Sequence, residues 1–287
     1  MLDTEKRSGI GRPLDPNYPT NRAIVAVAVL VGLVGGAVQL FITGSGLLDS
    51  LVWSVEAAGG VFLAWALSRE LDPDNEMSAF VSAGLWILSL TVINAPRLLA
   101  LLWFLWSLRI VNRTSGLAAK PLDSVLFLTL GSWLAFQTSG IYIVMTAVVF
   151  VLDGLLEPAN RRQYIFAGLS ALPGLALFLA LDALFAAFQF SRGVIVPLVV
   201  IAILFASVIA AYHRVQARGD YTGEPLDPTR VRIAQVTALI SALLVGLLTG
   251  LSGVVALLPL WSAFLGVASF RIVKAAGNFW QEVSKDA

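Results

Sequence analysis

Glu56 is the residue of this chain whose type and position most readily suggest chemistry. It lies inside the apolar run 51–68, 13 residues before Arg69. At ~1.5 Å per helical residue, that separation is roughly 20 Å. A bare carboxylate at such a depth in a membrane costs several kcal/mol, so it should be paired, protonated or facing water. A protonated Glu56 would suit a proton- or ion-coupled site.

Four other charged residues are candidate partners of Glu56. Asp49 comes seven residues earlier and lies on about the same helix face, because seven residues are close to two helical turns. The ordinary interpretation is a salt-bridged network near the outer side of a membrane. The functional interpretation is an ion-coupled site built around Glu56. Both interpretations involve the same intramembrane set: Asp49, Glu56, Arg97, Asp182 and Arg192.

A second polar cluster follows the second, fourth and sixth apolar runs. Carboxylates are ligands for Mg²⁺ and arginines bind phosphate, so this mixture could bind a phosphorylated lipid headgroup. The alternative is an ordinary membrane interface with helix caps and ion pairs. The cluster consists of Arg69, Asp72, Asp74, Arg109, Asn112, Arg113, Asp123, Asp153, Arg161 and Arg162.

Several kinds of site are excluded by composition. The chain has no cysteine, which rules out disulfides, thiolate nucleophiles and iron–sulfur ligation. His213 is the single histidine, so bis-histidine haem and histidine-rich zinc sites are also excluded. There is no Walker loop, dinucleotide fingerprint or nucleophile elbow. No metal site is predicted, and the sequence identifies no cofactor.

The elements that must position these residues are apolar helices. Of the 287 residues, 58% are hydrophobic and only 13% are charged, whereas soluble domains carry roughly 25% charged residues. We therefore expect an all-α, polytopic membrane bundle over 23–272, between a polar segment 1–22 and a tail 273–287. Ten spans are predicted: 23–42, 51–68, 77–95, 96–111, 123–137, 139–156, 163–187, 193–212, 231–249 and 252–272.

The positive charges predict the orientation of these spans. Arginines and lysines fall in alternate links and in the tails, and only Arg97 and Arg192 lie on the opposite side. By the positive-inside rule, both termini should be cytoplasmic in a multi-pass protein of the inner cell membrane. The outer links are very short, so no outer domain is expected. A net charge of +1 offers no basic face for nucleic acid.

A repeated motif suggests how the helices are arranged. Pro-Leu-Asp-Pro or a close variant begins at residues 13, 121 and 225, and Glu-Leu-Asp-Pro begins at 70. Each copy precedes a predicted outward helix, where Asp would cap the first turn. The pattern predicts five parallel helical hairpins. The hairpins 72–111 and 123–157 are short, which predicts local thinning or tilt of the membrane, or re-entrant segments.

Three classes of function remain open at this stage. The first is a transporter or permease for a small or lipidic solute, suggested by Glu56 and the short hairpins. The second is a structural or assembly subunit with a membrane-protein partner, suggested by the short loops. The third is an enzyme that acts on a lipid phosphate at the cytoplasmic face. The expected partners are the lipid bilayer, a lipidic or small-molecule ligand, and a membrane protein.

Overall fold

The fold is all-α. A computed structural model describes residues 8–12, 14–91, 97–181 and 192–283, although it leaves some side chains undescribed near 178–194 and beyond 278. In these ranges the β-structure is one isolated bridge between Arg218 and Pro225. The helices are α1 Pro19–Phe41, α2 Leu47–Leu71, α3 Glu76–Ser89, α4 Leu98–Asn112, α5 Pro121–Gln137, α6 Ile141–Leu155, α7 Gln163–Leu169, α8 Ala171–Leu181, α9 Arg192–Ala211, α10 Pro228–Ala256 and α11 Leu258–Val283.

These helices confirm the all-helical prediction. Each predicted span overlaps a helix, and the seventh covers α7 and α8, which only Ser170 separates. The break between the last two predicted spans also has a physical cause. Gly250 has a φ of 65°, outside the helical region, and kinks α10 there. Glycine tolerates this conformation because it has no Cβ.

Four helices are long and apolar enough to cross a membrane, judged by length and composition. They are α1, α2, α10 and the part of α11 over Leu258–Asn278. In the other apolar helices of the described residues, the apolar stretch is only 10–17 residues long. A helix of 15 residues reaches only ~22 Å. This pattern is compatible with a membrane protein.

The packing of the helices differs in part from a simple row of hairpins. α2 contacts α1, α3, α4 and α11, and α4 in turn contacts α5, α6 and α10. The predicted pairs α1–α2 and α5–α6 pack together. In the described ranges, α3 and α4 make no extended contact, and neither do α10 and α11. The five-hairpin repeat therefore stays a prediction.

Aromatic side chains fill the space between α4, α5 and α6. The Trp103 ring stacks on Phe127 at 5.7 Å between centroids and meets the edge of Tyr142 at 5.3 Å. The Trp103 indole N–H donates to Thr146 Oγ1 at 2.9 Å. Phe150 extends the cluster through an edge-to-face contact with Phe127, at 5.5 Å between centroids. Such pairs add about 0.5–1.5 kcal/mol each beyond area burial, so this part of the bundle is a packed core.

The aspartates of the repeated motif have different structural roles. Asp227 is the N-cap of α10 and accepts the backbone N–H of Thr229 at 2.8 Å. Asp123 lies inside the first turn of α5 and accepts the backbone N–H of Lys120. Asp72 caps no helix in this way, because its carboxylate faces arginine. One sequence motif thus serves helix capping at some copies and ion pairing at another.

The contact between α3 and α11 generates a test of the packing. A Cβ on Gly266 would lie 2.3 Å from Ser82 Oγ and 2.8 Å from the backbone of Ser82, whereas a Cβ on Gly84 would meet nothing within 4 Å. We expect Gly266→Ala to lower the free energy of unfolding by about 1–3 kcal/mol through overpacking. Gly84→Ala should be neutral or slightly stabilising. Thermal unfolding midpoints in detergent measure both, and equal midpoints would contradict the packing described.

Candidate functional site

Most buried charges lie at one end of the bundle. We call this the polar end. It comprises the C-terminal ends of α2, α4 and α6, the starts of α5 and α10, the part of α11 around Arg271, and the segments 8–12, 72–75, 113–120, 156–163 and 212–227. The sequence pattern predicts the cytoplasmic side for these segments. Their carboxylates are sequestered, since Glu70, Asp72, Asp123 and Asp153 are each at most 3% exposed. The packing of α2, α4, α10 and α11 brings their charged residues together here.

Glu70, on the last turn of α2, is held by groups from three segments. Its Oε1 accepts from Arg12 Nη1 at 3.0 Å and from Arg109 Nε at 2.8 Å. Its Oε2 accepts from Asn112 Nδ2 at 3.2 Å and from the hydroxyl of Thr114. A buried carboxylate is tolerated only when its lone pairs are satisfied in this way. Glu70 thereby joins α2 to α4 and to the N-terminal segment.

Asp72 binds Arg271 of α11 just beyond the end of α2. Arg271 donates to the two carboxylate oxygens at 2.7 and 3.1 Å, a bidentate geometry. The guanidinium carbon of Arg271 also lies 4.3 Å from the ring centroid of Tyr212. Burial first, and then the charges of Asp72 and Asp74, raise the pKa of Tyr212 above its ordinary value. A neutral tyrosine ring therefore covers the ion pair.

Asp153, near the end of α6, is the third ion-paired carboxylate. Arg113 donates to its Oδ1 at 2.7 and 3.0 Å, and Arg230 donates to the same oxygen at 3.2 Å. Its Oδ2 accepts from Asn160 and Gln163, both at 3.2 Å. Each oxygen of this fully buried group is therefore occupied.

Arg230 also satisfies free carbonyl groups where helices end. It donates to Val111 O in the last turn of α4 at 2.8 Å, and to Glu157 O just beyond α6 at 3.0 Å. The last carbonyls of a helix lack intrahelical partners and carry partial negative charge, so a cation is favoured there. Arg230 thereby fastens the start of α10 to the ends of α4 and α6.

The remaining residues of the predicted polar cluster lie at the same end, with varied partners. Asp74 accepts the backbone N–H groups of residues 216 and 217 at 2.9 and 2.8 Å. Arg69 pairs with the half-exposed Glu76. Arg162 donates to Ala119 O at 2.9 Å. Arg161 is exposed and pairs with no carboxylate in the parts of the chain that are described.

The N-terminal segment is folded into the polar end. Ser8 Oγ and Gly9 N donate to Asp123 at 2.6 and 2.7 Å, and Ile10 is 4% exposed. Arg12 joins Glu70 to Asp220 of the link 212–227. Burial opposes the charge of Arg12, but those two carboxylates outweigh it and raise its pKa above the ordinary value. Residues 8–12 therefore contact the start of α5, the end of α2 and the link 212–227. We call this segment the N-terminal strap.

The predicted intramembrane network is only partly within the described residues. Asp49 and Glu56 form no ion pair with any residue described, and Asp49 and Arg97 are exposed. Arg97 donates to Thr138 Oγ1 at 3.3 Å, at the opposite end from Arg69. Asp182 lies outside the described residues, and so does the side chain of Arg192, although its backbone begins α9.

Sequence reasoning alone does not place Glu70, Arg12, Arg230 and Arg271 at the centre of the polar end. One sequence pattern points to two of the ion pairs, Glu70–Arg109 and Asp72–Arg271. Leu-Arg-Ile-Val at 108–111 lies near the end of α4 and the similar Phe-Arg-Ile-Val at 270–273 lies within α11, which continues to Val283. Arg109 and Arg271 bind the two carboxylates at the end of α2. No comparable signal marks Arg12, because its partners are 58 and 208 residues away.

This arrangement leaves little free carboxylate for metal chemistry. Asp72, Asp74 and Asp123 accept hydrogen bonds from arginine or amide groups of the chain itself. Among the residues that the structure describes, no group of three or more His, Asp or Glu side chains could hold a metal ion. What the polar end does physically is to lock several helix ends together.

Removing one charge from the polar end provides a test. Glu70→Gln leaves Arg12 and Arg109 facing a neutral group inside the protein, so we expect a loss of about 3–5 kcal/mol in the free energy of unfolding. Glu76→Gln is the matched control, since its side chain is 50% exposed and such pairs contribute about 0–1 kcal/mol. Thermal unfolding in detergent measures both variants. Equal midpoints would show that the Glu70 pairs are not formed.

No family model, no curated protein and no solved structure matches this chain. Two features of the chain bear on its function: a carboxylate with no described ion-pair partner in an apolar helix, and a polar end whose carboxylates are bound by the chain's own arginines.

Proposed function

We propose that the protein is a multi-pass membrane carrier for a small or lipidic solute, in which Glu56 exchanges a proton or cation. One observation carries the proposal: Glu56 lies within α2, a helix long and apolar enough to cross a membrane, and pairs with no described residue. A charge in that setting is costly and is commonly kept for function.

The surroundings of Glu56 support this role. Glu56 shares a helix face with Gly59 and Gly60, which lie three and four residues further along α2. Gly59 lies against Leu98 of α4, and Gly60 lies against Trp86 of α3. The carboxylate is therefore on the α2 face that α3 and α4 flank, where those two short helices make no extended contact with each other.

The ion pairs of the polar end support the proposal, because in a carrier they would close one side of the helix bundle. Its ion pairs join α2 to α4 and α11, and Arg230 joins α10 to α4 and α6. Carriers expose a central site to one side at a time, by moving one group of helices against another. A set of ion pairs between helices can hold one side shut and can separate when the helices move.

An assembly role is the second candidate, and the surface of α1 favours it. This helix is mostly exposed, with Leu30, Leu33 and Phe41 at 60–80% exposure. A lipid bilayer or a second membrane protein could cover such a face. The enzyme hypothesis has less support, because Asp72, Asp74 and Asp123 each accept hydrogen bonds from the chain itself.

Native mass spectrometry of gently extracted protein separates the two candidates. A second polypeptide at a fixed ratio would favour the assembly role and contradict a self-contained carrier. A single chain that carries a defined lipid or small molecule would favour the carrier, and the mass of the bound species would identify the solute class.

The role of Glu56 can be tested before the solute is known. Dicyclohexylcarbodiimide modifies protonated carboxyl groups in apolar surroundings, and peptide mass spectrometry locates the product. We expect modification of Glu56 that declines as the pH is raised from about 5 to 9, because only the protonated acid reacts. The Asp49→Asn variant should retain the modification at position 56, whereas Glu56→Gln should lose it. An unreactive Glu56 across this range would contradict the proton-exchange role.

A further inference from the structure

A small cavity lies at the polar end, beside the ion pairs of Arg12 and Arg69 already described. Its volume is about 50 Å³. Three arginines from three separate segments line it: Arg12 from the N-terminal segment, Arg69 from α2 and Arg218 from the link 212–227. The complete lining is Arg12, Arg69, Pro73, Thr114, Ala217, Arg218, Asp220 and Leu226.

The acidic group in this lining is already neutralised. Arg12 donates to both carboxylate oxygens of Asp220, from Nε and from Nη2, and its Nη1 donates to Glu70 at 3.0 Å. Thr114 likewise directs its hydroxyl to Glu70. The cavity therefore does not offer free carboxylates. Arg12 and Arg69 are each ion-paired, so the positive charge of Arg218 is the lining charge without a described carboxylate partner.

Arg218 differs from the other two arginines in that no described carboxylate neutralises it. Its Nη1 donates to Gly223 O at 2.9 Å, and it pairs with no carboxylate in the described ranges. A guanidinium has five N–H donors in a planar fork that matches the oxygens of a phosphate. An anion in the cavity could therefore accept from Arg218 without displacing an existing ion pair.

The size of the cavity limits the ligand. A void of about 10–15 Å³ on the same measure holds one water molecule, so this cavity has room for a small oxyanion and not for a nucleoside. Several guanidinium groups around a small void are the usual surroundings of a phosphate group. A phosphate at the end of a lipid or polyphosphate could enter with the rest of the molecule remaining outside.

We propose that this cavity binds a phosphate-class oxyanion, either free phosphate or the phosphate group of a lipid. The bound anion would bridge the N-terminal segment, the end of α2 and the link 212–227. It would thereby strengthen the closure of the polar end. This site is independent of Glu56, because it is formed by residues at the end of α2 and in the links.

The test uses the full-length protein and defined probes. In detergent, inorganic phosphate and pyrophosphate are titrated and binding is followed by calorimetry and by the rise in thermal midpoint that a ligand of the folded state produces. In nanodiscs, phosphatidic acid is compared with phosphatidylcholine. Binding of the soluble anions would indicate a free phosphate ligand, and binding of phosphatidic acid alone would indicate a lipid headgroup.

Two matched variants decide whether the cavity is responsible. Arg218→Gln should weaken binding of the responsive probe by at least ~10-fold, because a charge-assisted hydrogen bond is lost. Arg218→Lys should bind with intermediate strength. Arg214→Gln makes the same charge change at an exposed arginine of the same link, outside the cavity, and should bind as wild type. Equal weakening in Arg214→Gln and Arg218→Gln would overturn the proposal, as would the absence of binding by every probe at millimolar concentration.

Discussion

The buried carboxylate of Glu70 is the constraint on which the polar end of this protein depends. A charge with 1% exposure must be neutralised where it lies. Arg109 reaches it from α4 and Arg12 reaches it from the N-terminal segment. Because Arg12 also holds Asp220, the same carboxylate indirectly positions the link 212–227. One buried charge thus organises two helices, the N-terminal strap and a link more than 140 residues further along the chain.

The other ion pairs follow the same physical logic. Asp72 holds α11 through Arg271, and Asp153 holds the start of α10 through Arg230. In the interior, by contrast, α4, α5 and α6 are held by aromatic packing. Lipid tails are as apolar as leucine, so helices in a membrane gain little from burying apolar surface alone. Close packing and well-satisfied polar contacts are then the available sources of specificity, and this bundle uses both.

The sequence predicts the helices well and their partners poorly. Apolar runs and breaker residues locate the helices, and the kink at Gly250 falls where the ninth predicted span ends. Arginines that fall in alternate links of the sequence, such as Arg69, Arg109 and Arg113, lie at the polar end. The repeat suggests neighbouring pairs, yet α3 packs on α2 and α11, because contacts such as Gly266 against Ser82 depend on surface shape that periodicity does not encode. Arg12 lies in a polar segment that resembles any exposed tail, so its role becomes visible only in three dimensions.

The proposed carrier requires the polar end to lie at one face of a membrane and to close that face. Because the chain has no cysteine, single cysteines can be introduced without a prior Cys-less background. Glu224→Cys lies in the exposed link 212–227, and Thr43→Cys lies in the exposed link after α1 at the other end of α2. With a membrane-impermeant maleimide, we predict labelling of Thr43→Cys in intact cells and of Glu224→Cys only in inverted vesicles. Labelling of both positions from the same side would contradict the account.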